Sequence, residues 1–374
     1  MFLHIVRPDP KFPQLIRDLF ESVAPGQHVF VLRTWEGVPR GILHEGYEWV
    51  ENADELAKVI ARHSEWEGIL INGVLGALRP FLEVLPEGVP LSWVVWGSEM
   101  YGLIYPCDHG ILEPLTLQAV RPSVVSRCRI FLRAKLFNWL YRKTRVRGVL
   151  DRVDIVVTKS IDEFELFQKE GFLTDRHLFH EAPVLNLAQL ANLESPVESG
   201  RSKLDIQVGN SASQANNHLD VFERLSKYDL TGRKVVVPLS YGNTCYREIV
   251  MSEGKRLLGN HFVPIVDFMP LPEYLERLSS CGIVILNIHR QQAIGNTVNA
   301  LWEGRTVYMG RNAPFLTFKR MGLAVYQFSS DFDLDRPPVD SALLLKTRSI
   351  LQDSYGEVSV KAQIQWLLDL MKSS

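Results

Sequence analysis

Residues 282–296 read GIVILNIHRQQAIGN. The opening five, Gly282–Leu286, are apolar on consecutive positions, the pattern of a strand buried on both faces of a parallel sheet. The chain then turns polar over Asn287, His289, Arg290, Gln291 and Gln292. Gly295 and Asn296 next open a helix expected over about 296–303. A buried strand, a polar loop at its carboxyl end and a helix form one unit of an α/β fold. Arg290 supplies a permanent cation suited to a phosphate. Gln291 and Gln292 offer amide donors and acceptors to hydroxyl groups. A polar strand end with a capped helix would also account for these residues. The four consecutive polar side chains His289 to Gln292, crowded at one strand end, favour a ligand.

The same alternation extends in both directions. Strands are expected at Phe2–Val6, His28–Arg33, Gly68–Asn72, Leu91–Val95 and Asp154–Thr158, with helices at about 11–23, 53–63 and 74–84. After a stretch rich in Asn, Ser, Pro and Gly the pattern restarts. Strands follow at Leu204–Val208, Val235–Pro238, Phe262–Val266, Ile283–Asn287, Thr306–Met309 and Ala324–Phe328, and two helices close the chain. The expected domains are 1–185, a linker 186–203, 204–355, and a terminal helix 356–374 that can pack back on the first domain. The predicted fold is α/β and GT-B-like: two Rossmann-like domains whose parallel sheets face each other across a cleft. Ligands of open α/β sheets bind at the carboxyl ends of the strands. GT-B glycosyltransferases, some sugar-nucleotide epimerases and periplasmic binding proteins share this architecture. The N-terminus reads as a strand and not as a signal peptide, which disfavours the last of these.

A length of 374 residues suits two domains, and 46% hydrophobic with 22% charged residues is ordinary globular composition. The formal charge of −2 argues against a dedicated nucleic-acid binder. No apolar run free of charge reaches the roughly 18 residues of a membrane span. The four cysteines are scattered without a C-x-x-C pair, which removes zinc and thioredoxin-like readings. There is no G-x-G-x-x-G after the first strand, no Walker A sequence and no G-x-S-x-G elbow.

Three further groups carry possible chemistry. Gly209, Asn210 and Ser211 directly follow an expected strand; backbone N–H groups and hydroxyls there can hold a diphosphate, or simply cap a helix. Glu99, just past the strand at Leu91–Val95, is placed to take a proton from an acceptor hydroxyl, or to stabilise a helix start. His4 is a second catalytic candidate, although a lone strand histidine is more often structural. The stretch Arg121–Arg147 holds nine basic residues, no acidic ones and several aromatics. Arg129, Arg133, Lys135, Trp139, Arg142 and Lys143 there suit an acceptor or an anionic membrane surface, or only a solvated helix face. Asp331-Phe332-Asp333 has D-x-D spacing but reads as a solvated loop, so no metal and no cofactor are expected.

The ordered set of residues resembles the TDP-N-acetylfucosamine:lipid II N-acetylfucosaminyltransferase (4-alpha-L-fucosyltransferase) family of enterobacterial common antigen synthesis. The resemblance rests on Val208-Gly209-Asn210-Ser211 with Asn217-His218, on Val235–Pro238 with Tyr241, and on Arg290-Gln291-Gln292-Ala293-Ile294-Gly295. It continues to Gly304 and Pro314-Phe315, and in the first half includes His4, Asp9 and Trp96–Tyr101. The family's Trp-Gly-Ala-Asp is here Trp-Gly-Ser-Glu, and its Gln-Gln-Gly is Gln-Gln-Ala. The acidic pair spaced E-x7-E in many GT-B enzymes is replaced by Gln291 and Asn299. The resemblance implies transfer of an amino-deoxy sugar from a dTDP-linked donor to a saccharide on undecaprenyl diphosphate, at the cytoplasmic face of the bacterial inner membrane. Gly209, Asn210, Ser211, Tyr241, Arg290, Gln291, Gln292, Gly295, Asn296 and Asn299 are the expected donor-binding residues. An epimerase and a non-catalytic saccharide-binding protein are the alternatives on the same fold.

Overall fold

The structure, a computed structural model, describes residues 1–9, 12–33, 45–73, 78–105, 110–121, 132, 136, 147–181, 186–191, 193 and 203–373. The chain divides into two compact units. The first contains Met1–Ile104, the described residues from 147 to 186, and Ser354–Ser374. The second contains Tyr105, residues 110–121 and Leu187–Asp353. Residues 110–121 were expected with the first domain, so their membership of the second is a correction. Its cause is a set of hydrogen bonds described below. Most of the expected linker 186–203 lies outside the described residues.

The first sheet has seven strands: β1 (Phe2–Val6), β2 (His28–Arg33), β3 (Tyr47–Val50), β4 (Gly68–Asn72), β5 (Leu91–Val94), β6 (Ile155–Thr158) and β7 (Leu178–Glu181). They lie in the order β3-β2-β1-β4-β5-β6-β7, and every pairing is parallel. All residues of the central strands β1 and β4 are buried, because helices cover both faces of the sheet. β3 and β7 were not expected from the sequence. Each is a four-residue edge strand with a single buried position, Val50 and His180, so neither carries an apolar run. The final helix, Glu357–Ser373, completes this unit. It buries Val360, Ile364, Leu367, Leu368 and Met371, and the last four join Phe2, Leu70 and Ile155 in one core. Each such side chain contributes roughly 1.5–3 kcal/mol when fully buried.

The second sheet has six strands: β8 (Asp205–Val208), β9 (Val235–Pro238), β10 (Phe262–Ile265), β11 (Cys281–Leu286), β12 (Thr306–Met309) and β13 (Val325–Gln327). Their order is β10-β9-β8-β11-β12-β13, again all parallel. This is the doubly wound order of a dinucleotide fold. The chain reverses its winding between β8 and β11, and the crevice of such a sheet opens at the carboxyl ends of those two strands. Helices are punctuated by asparagine. Asn243 and Asn312 cap helices Thr244–Leu258 and Ala313–Arg320, accepting from Tyr246 and Phe315 N–H at 2.8 Å.

Candidate active site

β8 runs into Gly209, whose φ is +69°. A Cβ there would stand 2.5 Å from His218 Nε2 and 3.0 Å from Asn216 Oδ1, so both conformation and space demand glycine. Asn216 braces the turn: its Oδ1 accepts from Asn210 N–H at 3.2 Å, and its Nδ2 donates to the Ser211 carbonyl at 3.0 Å. The loop after β9 is laced to this turn. Ala212 N–H donates to the Tyr241 carbonyl at 2.8 Å, and Asn243 N–H donates to the Ala212 carbonyl at 3.0 Å. Gly242, at φ +117°, permits that approach, since a Cβ would meet the Ala212 carbonyl carbon at 2.7 Å.

The loop after β11 is fixed by two buried amides from elsewhere in the fold. Asn217 Nδ2 donates to the Asn287 carbonyl at 3.0 Å. Asn312 Nδ2 donates to the carbonyls of Ile288 (2.6 Å) and Arg290 (3.2 Å). With the backbone held, the side chains form a row. Arg290 donates to Gln292 Oε1 through Nη2 (2.8 Å) and Nε (3.2 Å). Gln292 Nε2 donates to Asn210 Oδ1 at 2.9 Å, and Asn210 Nδ2 donates to the Tyr241 hydroxyl at 2.8 Å. Four expected donor-binding residues, from the loops after three different strands, are thus joined in one network. Gln291 sits beside it on the same loop, half-buried.

Helix Ile294–Trp302 begins under this row. Its cap residue, Ala293, adopts a left-handed φ of +60°, rare for a residue with a Cβ. Gly295 lies in the first turn, where N–H groups are unpaired within the helix and the dipole is positive. Asn296 Oδ1 accepts from the Tyr274 hydroxyl at 3.1 Å. Asn299 lies further along the same helix. It is only 4% exposed, and its Nδ2 donates to Glu303 Oε1 at 3.3 Å. Glu303 in turn pairs with the buried Arg305, while Asn299 Oδ1 is buried without a hydrogen-bond partner.

In the first unit, Glu99 occupies the first turn of helix Gly97–Ile104. It is half-buried, and Oε2 accepts from the buried Trp93 indole N–H at 3.3 Å. Trp96, three residues earlier, packs edge-on against Phe12 at 5.1 Å between ring centroids. Asp9 caps the first helix, accepting from Phe12 N–H at 3.1 Å. His4 is corrected to a core residue. It is 0% exposed, stacked on Phe30 at 4.5 Å, with Nε2 3.0 Å from His28 Nδ1. Burial, helped by His28, holds its pKa well below the usual value, so the ring stays neutral and closed to substrate.

Arg129, Arg133, Lys135, Trp139, Arg142 and Lys143 lie outside the described residues; of that stretch, Leu132 and Leu136 are 65% and 57% exposed. Among the described residues no helix is long and apolar enough to cross a membrane. Among them, too, no group of three or more metal-ligating side chains occurs. Asp331 ends the short helix Phe328–Asp331 and, like Asp333 and Asp335, is exposed, while Phe332 and Leu334 are buried in the core. The bracing residues Asn216, Asn217 and Asn312 were not singled out as site residues from the sequence. Their only local signal is asparagine close after a strand end.

Comparison with solved structures defines the class. Anabaena HepE in complex with UDP superposes with a TM-score of 0.56 at 11% identity, over 100% of this chain and 97% of that one. The E. coli trehalose-6-phosphate structure bound with UDP-2-fluoro glucose gives 0.60 at 8% identity, over 100% and 99%. AviGT4, a glycosyltransferase involved in avilamycin A biosynthesis, gives 0.54 at 13% identity, over 100% and 99%. The fold is therefore that of the GT-B glycosyltransferases. Within that class, residues 132–336 match the model of the 4-alpha-L-fucosyltransferases, glycosyl transferase group 56. The chain belongs to that family and is a glycosyltransferase.

Proposed function

We propose that this chain moves an amino-deoxy sugar, of the 4-acetamido-4,6-dideoxygalactose type, from a dTDP-linked donor to a saccharide carried on undecaprenyl diphosphate. The observation that carries the reading is the row Arg290–Gln292–Asn210–Tyr241 at the carboxyl ends of β8, β9 and β11. A guanidinium, two amides and a phenol rim a helix start, a combination suited to a diphosphate with a sugar at one end and a nucleoside at the other. The UDP held by HepE and the UDP-2-fluoro glucose in the E. coli structure support a nucleotide sugar here.

In this reading Glu99 accepts the proton of the acceptor hydroxyl as its oxygen bonds to the anomeric carbon of the donor sugar. The bond from that carbon to the diphosphate oxygen breaks, and Arg290 with the helix N–H groups neutralises the departing diphosphate. That cation and those dipoles take the part a metal plays elsewhere, so the reaction is proposed to be metal-independent. The basic, aromatic run 121–147 would hold the enzyme on anionic lipid, at the cytoplasmic face of the inner membrane.

The test is thermal unfolding of the purified chain with dTDP, UDP, GDP and CMP, each in EDTA. A ligand at about 100 times its Kd stabilises by about 2.7 kcal/mol. A rise in Tm with dTDP alone is expected. No rise with any nucleotide would refute the donor site. Binding to anionic but not neutral vesicles is the matching expectation for the surface.

A further inference from the structure

Residues 110–121 are bound to the second unit at several points. The Ile111 carbonyl accepts from Asn217 Nδ2 at 3.1 Å, and Glu113 N–H donates to Asn217 Oδ1 at 2.8 Å. At the start of helix Pro114–Val120, the N–H groups of Leu115 and Thr116 donate to the Asp220 carboxylate at 2.8 and 3.0 Å. The same Asn217 amide holds the Asn287 carbonyl. One fully buried side chain therefore ties the 111–113 segment to the first residue of the loop that carries His289 and Arg290. The result is a specific contact across 176 residues of sequence: His289 Nε2 stands 2.9 Å from Glu113 Oε1.

Both side chains of this pair are 28% exposed. A half-exposed pair of this kind adds little to stability, about 0–1 kcal/mol, so stability does not explain its construction. Its charge does not suit a diphosphate, because a carboxylate beside the ring offsets any cation there. A carboxylate that accepts from Nε2–H does, however, fix the tautomer and orientation of the ring. Nδ1 is then left as an oriented acceptor next in sequence to the residue proposed to hold the diphosphate.

We propose that His289, oriented by Glu113, reads a hydroxyl or amide N–H of the transferred sugar, with Nδ1 as the acceptor. His289 would be a specificity residue of the donor site, and Glu113 a positioning residue supplied by a segment outside the family match at 132–336. The inference rests on the reading that the donor diphosphate lies at Arg290.

The experiment compares the affinity of dTDP with that of dTDP-glucose by calorimetry. His289→Ala is expected to weaken dTDP-glucose about fivefold, the effect of one hydrogen bond, and to leave dTDP within twofold. Glu113→Ala should copy it. Glu113→Gln keeps an oxygen acceptor and should restore near-normal binding, which a merely structural role would not require. Equal losses for dTDP and dTDP-glucose in His289→Ala would overturn the proposal, and so would an unchanged ratio of the two. Arg290→Ala separates the two levels. If it leaves dTDP binding intact, the diphosphate reading itself fails; if it abolishes dTDP binding while His289→Ala changes nothing, only the sugar assignment fails.

Discussion

The carboxyl ends of the two sheets share a winding order and differ in chemistry. In the second unit the strand ends at β8 and β11 are lined with Asn210, Gln292 and Arg290, and buried asparagines hold the loop backbones. In the first unit the region just after β5 is aromatic and acidic: Trp96 with Phe12, and Glu99 with the buried Trp93 indole. In that unit His4 of the central strand β1 is packed in the core against His28 of β2. Topology thus supplies the location of a crevice, while side chains decide what each crevice can hold. A cation with amides suits an anion; a carboxylate beside indoles suits hydroxyl groups on an apolar sugar face.

The largest test of this contrast is Glu99→Gln. It should lower turnover by about 10²–10⁴-fold, the usual effect of losing a general base, while dTDP affinity stays unchanged. Unchanged turnover would remove the acidic site from the first sheet. Next is Gly209→Ala. The added methyl meets His218 and Asn216 in a left-handed turn, and the combined strain and overpacking cost about 2–5 kcal/mol. Denaturant midpoints for the second unit should fall accordingly.

Acid should act on both units, since burial also lowers the pKa of His218, beside Gly209 in the second, to about 3. Burial lowers the pKa of His4 and His28, and each ring has one buried nitrogen without a partner. Groups depressed in the folded state stabilise above their unfolded pKa of 6.5, and that stabilisation is lost as pH falls. The loss sets in below about pH 6.5 and grows as pH falls toward the depressed folded-state values. Hydrogen exchange should show protection of β1 and β2 falling as pH drops below about 6.5, and protection unchanged down to about pH 4 would contradict the assignment. The smallest effect sharpens the second crevice: Ala293→Gly relieves a left-handed alanine at φ +60° and should raise stability by about 1 kcal/mol. An unchanged Tm would mean that the cap is not strained.

Much of this was legible in the sequence because parallel strands buried on both faces write themselves as apolar runs. Phe2–Val6, Gly68–Asn72 and Val235–Pro238 were readable for that reason. The edge strands β3 and β7 were not, since Tyr47–Val50 and Leu178–Glu181 each bury one side chain. Within the site, Arg290, Gln292 and Asn210 were visible because polar residues crowd strand ends. His4 misled because a strand histidine reads the same for a core ring as for a catalytic one; only its mid-strand place and its neighbours Phe20, Phe30 and His28 decide. Glu113 was unreadable because nothing local announces a partner 176 residues away.

The dispersal of each unit along the chain has a consequence for synthesis. The core of the first unit needs Ile364, Leu367, Leu368 and Met371, which are made after every part of the second unit. The second unit is complete by Asp353, with residues 110–121 waiting from early on. Domains generally fold in the order they are made, N-terminal first. Here the order of completion runs the other way. A nascent chain stalled near residue 355 would carry a finished second unit beside a first unit whose apolar floor around Phe2 and Leu70 still lacks its closing helix.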